Sequence, residues 1–245
     1  MTEFGSYELI VIAGVFAAFF IKGFSGFGTA LLLVPLFTML FGPKSALPTT
    51  ALFDMIAGLV LIISVWRQIQ WSFVLKTTIA LFIGAFIGVL FLSIIPHSIL
   101  SKIIGFGLLS FIIVLLMQKN NGLEVEKHSI SNWHYFIAGL SGFTGGLIGV
   151  SGPVLAVYMK VRHNKDFFRT QLIAVFFFGS MWRLLLFYWH GFHIAFGVEQ
   201  SAVLVIILLA GLWVGQHVNL KVNEVAFNRV IAVILLIPAA KLLLF

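Results

Sequence analysis

The chain alternates long apolar stretches with short polar segments. The apolar stretches lie near residues 7–41, 45–66, 72–95, 98–117, 132–159, 167–190, 196–217 and 225–245. Nearly all are long enough for a membrane-spanning helix of roughly 20 residues. The polar connector 119–131 separates two halves, residues 1–118 and 132–245. The pattern predicts an all-α integral membrane protein with four hydrophobic segments in each half.

The two halves share glycine landmarks in the same order. The segment Gly23–Gly28 corresponds to Gly146–Ser151 at an offset of 123 residues. Likewise, the glycines Gly84 and Gly88 correspond to Gly211 and Gly215 at an offset of 127 residues. This correspondence predicts an internal repeat. The alternative is that small residues at this spacing only reflect helix contacts in a membrane, where they are common.

The first apolar segment of each half is interrupted by glycines. Residues 7–41 are too many for one helix and few for two full spans, and Lys22–Gly28 interrupts them. Residues 132–159 are interrupted in the same way at Gly145–Pro153. Unwound backbone at membrane depth persists only where it is buried in protein or lines a cavity. Paired breaks in matching positions are typical of a transporter binding site.

The composition agrees with a lipid environment and narrows the function. The chain is 61% hydrophobic and 9% charged, whereas a soluble domain has about 25% charged residues. The net charge of +7 lies mostly between apolar stretches, where it indicates topology and lipid headgroups rather than nucleic acid. Cysteine is absent. Because no catalytic, nucleotide or metal motif is visible either, we expect no enzyme activity, no cofactor and no metal.

The distribution of basic residues favours one topology. If both broken segments cross the membrane, eight basic residues lie on one side of it and five on the other. If both segments are re-entrant hairpins, ten lie on one side and three on the other. The positive-inside rule favours the hairpins, which makes the halves inverted repeats whose tips meet from opposite faces. Both arrangements place the two termini outside, and we expect a bacterial inner (plasma) membrane. Glu3 and Glu8 precede the first apolar stretch without a Lys or Arg, which is unlike a signal peptide.

Each break is a candidate anion site. A helix that begins at mid-membrane directs unpaired N–H groups and a positive dipole end into the break, and such ends bind anions. Thr29 starts one such helix in the sequence and Ser151 caps another. The alternative is that the glycines only permit close packing. The predicted binding residues at the breaks are Lys22, Gly23, Ser25, Gly26, Phe27, Gly28, Gly149, Ser151 and Gly152.

Three ionisable residues lie inside apolar stretches, where charge is expensive and usually functional. Arg183 can hold two oxygens of a sulfonate, sulfite or carboxylate; alternatively it forms a structural ion pair with Asp54. Lys22 either attracts the anion or extends to an interface. Asp54 is the candidate for ion coupling, including proton coupling, or else the partner of Arg183 or Lys22.

At these breaks the sequence resembles the TauE/SafE family of sulfite exporters, also called the toluene sulfonate uptake permease family. The residues that carry the resemblance are Gly23–Gly28 with Pro35, and Gly145–Pro153. The length, the two four-segment halves and the polar connector also fit, so the resemblance covers essentially the whole chain. It implies movement of sulfite, sulfonates, sulfoacetate or related anions, in a direction that the family leaves open.

The residues and the resemblance favour a secondary transporter for a sulfur-containing oxyanion, such as sulfite, thiosulfate or an organosulfonate. We expect the anion between the two half-helix N-termini, with membrane lipid as the other partner. One alternative is a carrier for a different small anion such as a carboxylate. Another is a membrane scaffold without transport, which leaves the duplicated breaks unexplained.

Overall fold

The structure, a computed structural model, describes residues 7–26, 28–117, 132–162, 165–217, 232–233, 235–236 and 238–243. Over these ranges the chain is α-helical apart from short turns and loops, and no strand occurs in them. The all-α prediction is therefore confirmed. The polar connector 119–131 lies outside the described residues.

The helices follow the apolar stretches of the sequence. They are α1 Glu8–Ser25, α2 Thr29–Phe41, α3 Pro43–Val65, α4 Trp71–Ile94, α5 His97–Met117, α6 Asn132–Ile148, α7 Gly152–Arg162, α8 Lys165–Trp189 and α9 Val198–His217. Helical residues return within 232–243. Among the described residues, four helices are long and apolar enough to cross a membrane, namely α3, α4, α8 and α9.

The surface of the helix assembly is apolar. Large side chains such as Ile63, Ile83 and Ile206 are more than half exposed, although burial of such groups away from water is what normally stabilises a fold. Lipid tails are their natural solvent. Trp66 and Trp189 are exposed near helix ends, the position of the aromatic belt at a membrane interface.

The chain reverses direction at the first glycine break. Gly26 has φ +85° and donates its N–H to the carbonyl of Lys22 at 2.7 Å, a left-handed helix end that favours glycine. Beyond it, α2 folds back so that Leu36 lies against Gly14 of α1. A straight continuation would separate these two residues by about 33 Å. Helices α1 and α2 therefore form a hairpin, the first hairpin.

The second break makes the same reversal. Gly149 has φ +75° and donates its N–H to the carbonyl of Gly145 at 3.1 Å. The rings of His134, early in α6, and Tyr158, late in α7, have centroids 5.7 Å apart. Helices α6 and α7 thus form the second hairpin.

Each hairpin packs most extensively against a helix of the other half. The contacts of α1 with α9 and of α4 with α6 are the largest between described helices. Both depend on glycine: a Cβ at Gly215 would overlap the carbonyl of Phe20, and one at Gly142 would overlap that of Leu81. The pairs run parallel, and we call them the α1–α9 seam and the α4–α6 seam.

Helices α3 and α8 lie antiparallel in the middle of the assembly. At one end, the Arg67 end, the N–H of Gln70 donates to Gln171 Oε1 at 2.9 Å, which joins the loop between α3 and α4 to the first turns of α8. At the other, the His97 end, the N–H of Ala195 donates to Thr49 Oγ1 at 2.9 Å. The tips of both hairpins lie between these ends and beside α3 and α8.

Candidate functional site

The two hairpin tips line one cavity of about 30 Å³. That volume holds about two water molecules or a small ion. Residues from both tips, from α3 and from α8 form its wall: Lys22, Gly26, Gly28, Thr29, Ala30, Leu31, Asp54, Val150, Ser151, Gly152, Phe176 and Arg183. Breaks that are more than 120 residues apart in the sequence therefore meet at a single site.

Both helices that begin at the tips start at this cavity. Gly28 precedes α2 with φ +108°, and no described side chain caps that helix end. Thr29, Ala30 and Leu31 of the first turn of α2 lie in the cavity wall, so the positive end of this helix borders the cavity. Helix α7 begins at Gly152, next to Ser151 in the wall. Two positive helix ends thus converge on one small space.

A buried ion pair stands at the first tip. Lys22 Nζ lies 2.6 Å from Asp54 Oδ1 and 3.3 Å from the backbone carbonyl of Asp54. The hydroxyl of Thr29, the first residue of α2, donates to the same carboxylate oxygen. Lys22 is 5% exposed and Asp54 is 8% exposed. The structure therefore places Lys22 in the interior and does not extend it to an interface.

Arg183 joins the second tip to the ion pair. Its Nη1 donates to the carbonyls of Gly145 at 3.3 Å and Gly149 at 3.0 Å, at the turn that ends α6. Its Nη2 lies 3.9 Å from Asp54 Oδ2. Its Nε has no hydrogen-bond partner, although the residue is only 4% exposed. One buried donor of this guanidinium thus has no partner among the described residues.

A second arginine of α8 acts at the first tip. Arg169 Nη2 donates to the carbonyl of Gly23 at 2.9 Å, and its side chain lies over Gly26. From the sequence, Arg169 belongs only to the charges that indicate topology, because it follows the polar segment at the end of α7. The signal that would have revealed it is its spacing of 14 residues from Arg183, which places both on one helix face.

The structure separates the predicted site residues into two groups. Those in the cavity wall are Lys22, Gly26, Gly28, Asp54, Ser151, Gly152 and Arg183. Gly23 lies behind the wall against α9, and Gly149 lies against Val34 and Leu47. The side chain of Ser25 and the whole of Phe27 lie outside the described residues.

Two residues of the cavity wall have a role that the sequence did not predict. Thr29 was expected only as a helix start, yet its hydroxyl binds Asp54. Phe176 also lines the cavity. It precedes Arg183 by two helical turns, so the face of α8 that carries Arg183 predicts its position.

A match to a known protein family identifies the family of this chain. The profile described as sulfite exporter TauE/SafE matches residues 10–242, which include both hairpins and the cavity. The chain belongs to the TauE/SafE sulfite exporter family. TauE/SafE proteins are membrane transporters of the sulfur-anion exporter type, not enzymes. No curated protein and no solved structure matches the chain at a significant level.

Proposed function

We propose that this chain is a secondary transporter that binds a small sulfur oxyanion in the cavity between the hairpin tips. The observation that carries the proposal is the meeting of two helix N-termini and two buried cations around one cavity. Helix N-termini bind anions through their N–H groups and their dipoles. The family supplies the substrate class, and the cavity supplies the location.

The charge at the cavity supports an anionic substrate. Lys22 and Arg183 carry two positive charges against the single negative charge of Asp54, so the side chains leave an excess of one positive charge. Each helix end adds about half a positive charge. A cation would meet repulsion on every side, whereas an oxyanion meets N–H, hydroxyl, ammonium and guanidinium donors.

The size of the cavity favours a small anion in this conformation. A cavity of about 30 Å³ accommodates sulfite or a similar ion more readily than the ring of toluene sulfonate. Phe176 supplies the only aromatic side chain among the described wall residues. We therefore rank sulfite and thiosulfate above aryl sulfonates, with sulfoacetate between them.

Thermal stability of the purified protein tests the substrate first. A ligand that binds only the folded state raises the melting temperature. We expect stabilisation by sulfite or thiosulfate, and less by toluene sulfonate or by carboxylates of similar size. Stabilisation by carboxylates alone would replace the sulfur oxyanion with an organic acid as the substrate. Flux of the stabilising anion into proteoliposomes then separates a transporter from a scaffold.

The Ser151→Ala variant tests the location of the site. Ser151 lies in the cavity wall, and loss of one hydroxyl donor is expected to weaken anion binding about tenfold. Ser180→Ala is the matched control, because Ser180 is also buried but donates to Phe177 of its own helix at 2.8 Å. Equal affinities for both variants and the unaltered protein would move the site elsewhere.

We also propose that residues 1–118 and 132–245 form inverted repeats around this site. Support comes from the two seams, because exchange of the halves converts α1–α9 into α6–α4. Further support comes from the two hairpins, which approach the cavity from opposite ends of the assembly. In this arrangement the basic Arg67 end faces the cytoplasm and both termini lie outside a bacterial inner membrane.

A further inference from the structure

The carboxylate of Asp54 accepts hydrogen bonds from two helices and faces a cation of a third. Its Oδ1 accepts from Lys22 of α1 at 2.6 Å and from the hydroxyl of Thr29 of α2. Its Oδ2 lies 3.9 Å from Arg183 Nη2 of α8. All four residues line the cavity. The carboxylate therefore already holds several of the cavity's donors.

A carboxylate and a sulfur oxyanion present the same chemistry to these donors. Each spreads negative charge over oxygens that accept charge-assisted hydrogen bonds. The single hydrogen of the Thr29 hydroxyl and two of the three hydrogens of Lys22 Nζ are already given to Asp54. An anion that enters the cavity must therefore compete with Asp54 for them.

We propose that Asp54 is a tethered substitute for the transported anion. It occupies Lys22 and Thr29 while the cavity is empty, and the entering oxyanion displaces it from them. The inference rests on the proposed function, because it requires an anion to bind in this cavity.

The reason for such a device lies in the expense of buried charge. Two buried cations without a counter-charge are strongly unfavourable in a protein interior or a membrane. In the protein without substrate, the negative charge of Asp54 offsets one of the two positive charges. The protein can then change conformation without its substrate. When the anion takes its place, the displaced carboxylate stands beside a second negative charge.

A displaced Asp54 is expected to take up a proton. Like charge and burial both favour the neutral form of a carboxylic acid. The charged groups that face it are Lys22 from α1 and Arg183 from α8, and no other ionisable side chain lines the described cavity wall. Both cations are then held by the bound anion. Each anion is therefore expected to bind together with one proton.

Binding of thiosulfate to purified protein tests the competition. Thiosulfate is a suitable probe because it does not titrate near neutral pH. In the unaltered protein its affinity is expected to fall as pH rises, by up to about tenfold per pH unit for one coupled proton. Asp54→Asn removes the competitor and is expected to bind roughly tenfold more tightly with no pH dependence.

A control variant and a second measurement complete the test. Glu199→Gln is the matched control for a general charge effect, because Glu199 is an exposed acid at the start of α9; it is expected to behave as the unaltered protein. The second measurement is proton uptake when thiosulfate is added to the protein in weakly buffered solution. About one proton per bound thiosulfate is expected for the unaltered protein, which decides the matter if Asp54→Asn does not fold.

Transport in proteoliposomes gives an independent readout. The Asp54→Asn protein is expected to retain exchange of one anion for another, because the anion still neutralises the cations. It is expected to lose net flux, because the empty protein now returns with two unbalanced cations.

The outcomes distinguish this inference from the proposed function. Thiosulfate binding without proton uptake, with equal affinity for Asp54→Asn, would overturn the role of Asp54 and leave the binding site intact. Failure of every sulfur anion to bind the unaltered protein and the variant would overturn both.

Discussion

At the scale of single residues, the two arginines of α8 explain how two helices can end in the interior of the helix assembly. Arg169 and Arg183 lie about 21 Å apart on the same helix, and each donates to carbonyls near the end of one hairpin helix. The last carbonyls of a helix generally lack a partner within it, and lipid offers them none. The fan of donors on arginine suits this task better than the single ammonium of lysine.

The two arginines are expected to differ in function although they resemble each other in structure. Arg169→Gln and Arg183→Gln each remove charged donors from a buried carbonyl, which is expected to lower stability by about 1–3 kcal/mol. Only Arg183 lines the cavity, so only Arg183→Gln is expected to lower anion affinity, by at least roughly tenfold. Thermal unfolding and anion titration of both variants check this. Equal loss of affinity would mean that Arg183 acts only through the fold.

The sequence predicted the ionic residues better than their partners. Lys22, Asp54 and Arg183 are identifiable because each interrupts an apolar stretch, and charge inside a membrane segment needs a reason. Their contacts could not be predicted in the same way, because the sequence left several possible partners open for each of these residues. The structure places Asp54 between both cations, so its two alternative partners are both correct.

At the scale of helices, glycine determines which surfaces meet. Within the α4–α6 seam a Cβ at Gly142 would overlap the carbonyl of Leu81, whereas one at Gly139 would meet the carbonyl of Ala80 at an ordinary 3.6 Å. Both glycines lie on α6 and three residues apart. Substitutions at these two glycines are therefore a matched pair, because the two positions differ mainly in how closely α4 approaches.

We expect Gly142→Ala to destabilise the protein and Gly139→Ala to be harmless. Overlap with a rigid backbone forces the helices apart, at a loss of about 1–3 kcal/mol. At Gly139 the new methyl group fits, and the higher helix propensity of alanine adds up to about 1 kcal/mol. Melting temperatures in detergent measure both effects. A lower melting temperature for Gly139→Ala than for Gly142→Ala would contradict the described seam.

The crosswise pairing of the helices was beyond the sequence pattern. Gly23–Gly28 and Gly211–Gly215 appeared as landmarks of a repeat, and close packing stood as the alternative explanation. The structure shows that Gly23 and Gly215 do pack closely, within the α1–α9 seam. A row of small residues predicts that a face is available for close contact, but it does not identify the helix that will occupy it.

At the scale of the whole molecule, the positions of basic residues define an orientation. Arg67, Lys76 and Arg169 lie toward the Arg67 end, whereas Lys44 and Lys102 lie toward the His97 end. The positive-inside rule then favours the Arg67 end as cytoplasmic.

Single cysteines can test this orientation directly, because the chain contains none. Ser72 is exposed near the Arg67 end and Ser98 is exposed near the His97 end. In intact cells, a membrane-impermeant thiol reagent is expected to label Ser98→Cys and not Ser72→Cys. Labelling of Ser72→Cys alone would reverse the orientation. Permeabilised cells, in which both should react, supply the control.

The apolar pattern predicted the positions and order of the described helices, because lipid requires every backbone polar group to be paired within its segment. It located the breaks for the same reason, since glycine there is otherwise unfavourable. The cavity could not be predicted in the same way. Its wall combines residues from both hairpins with Asp54 and Phe176, and only the packing of the hairpins against α3 and α8 brings them together.

The α1–α9 seam also sets an order of events during synthesis. Helix α9 begins roughly 190 residues after α1, so at about 5–20 residues per second the ribosome delivers it roughly 10–40 seconds later. The α4–α6 seam closes much sooner, because only α5 and the connector separate its helices. Helix α1 is thus made long before the helix that it packs against most extensively. We expect a nascent chain arrested before residue 198 to be a substrate for the proteases that clear unassembled membrane segments.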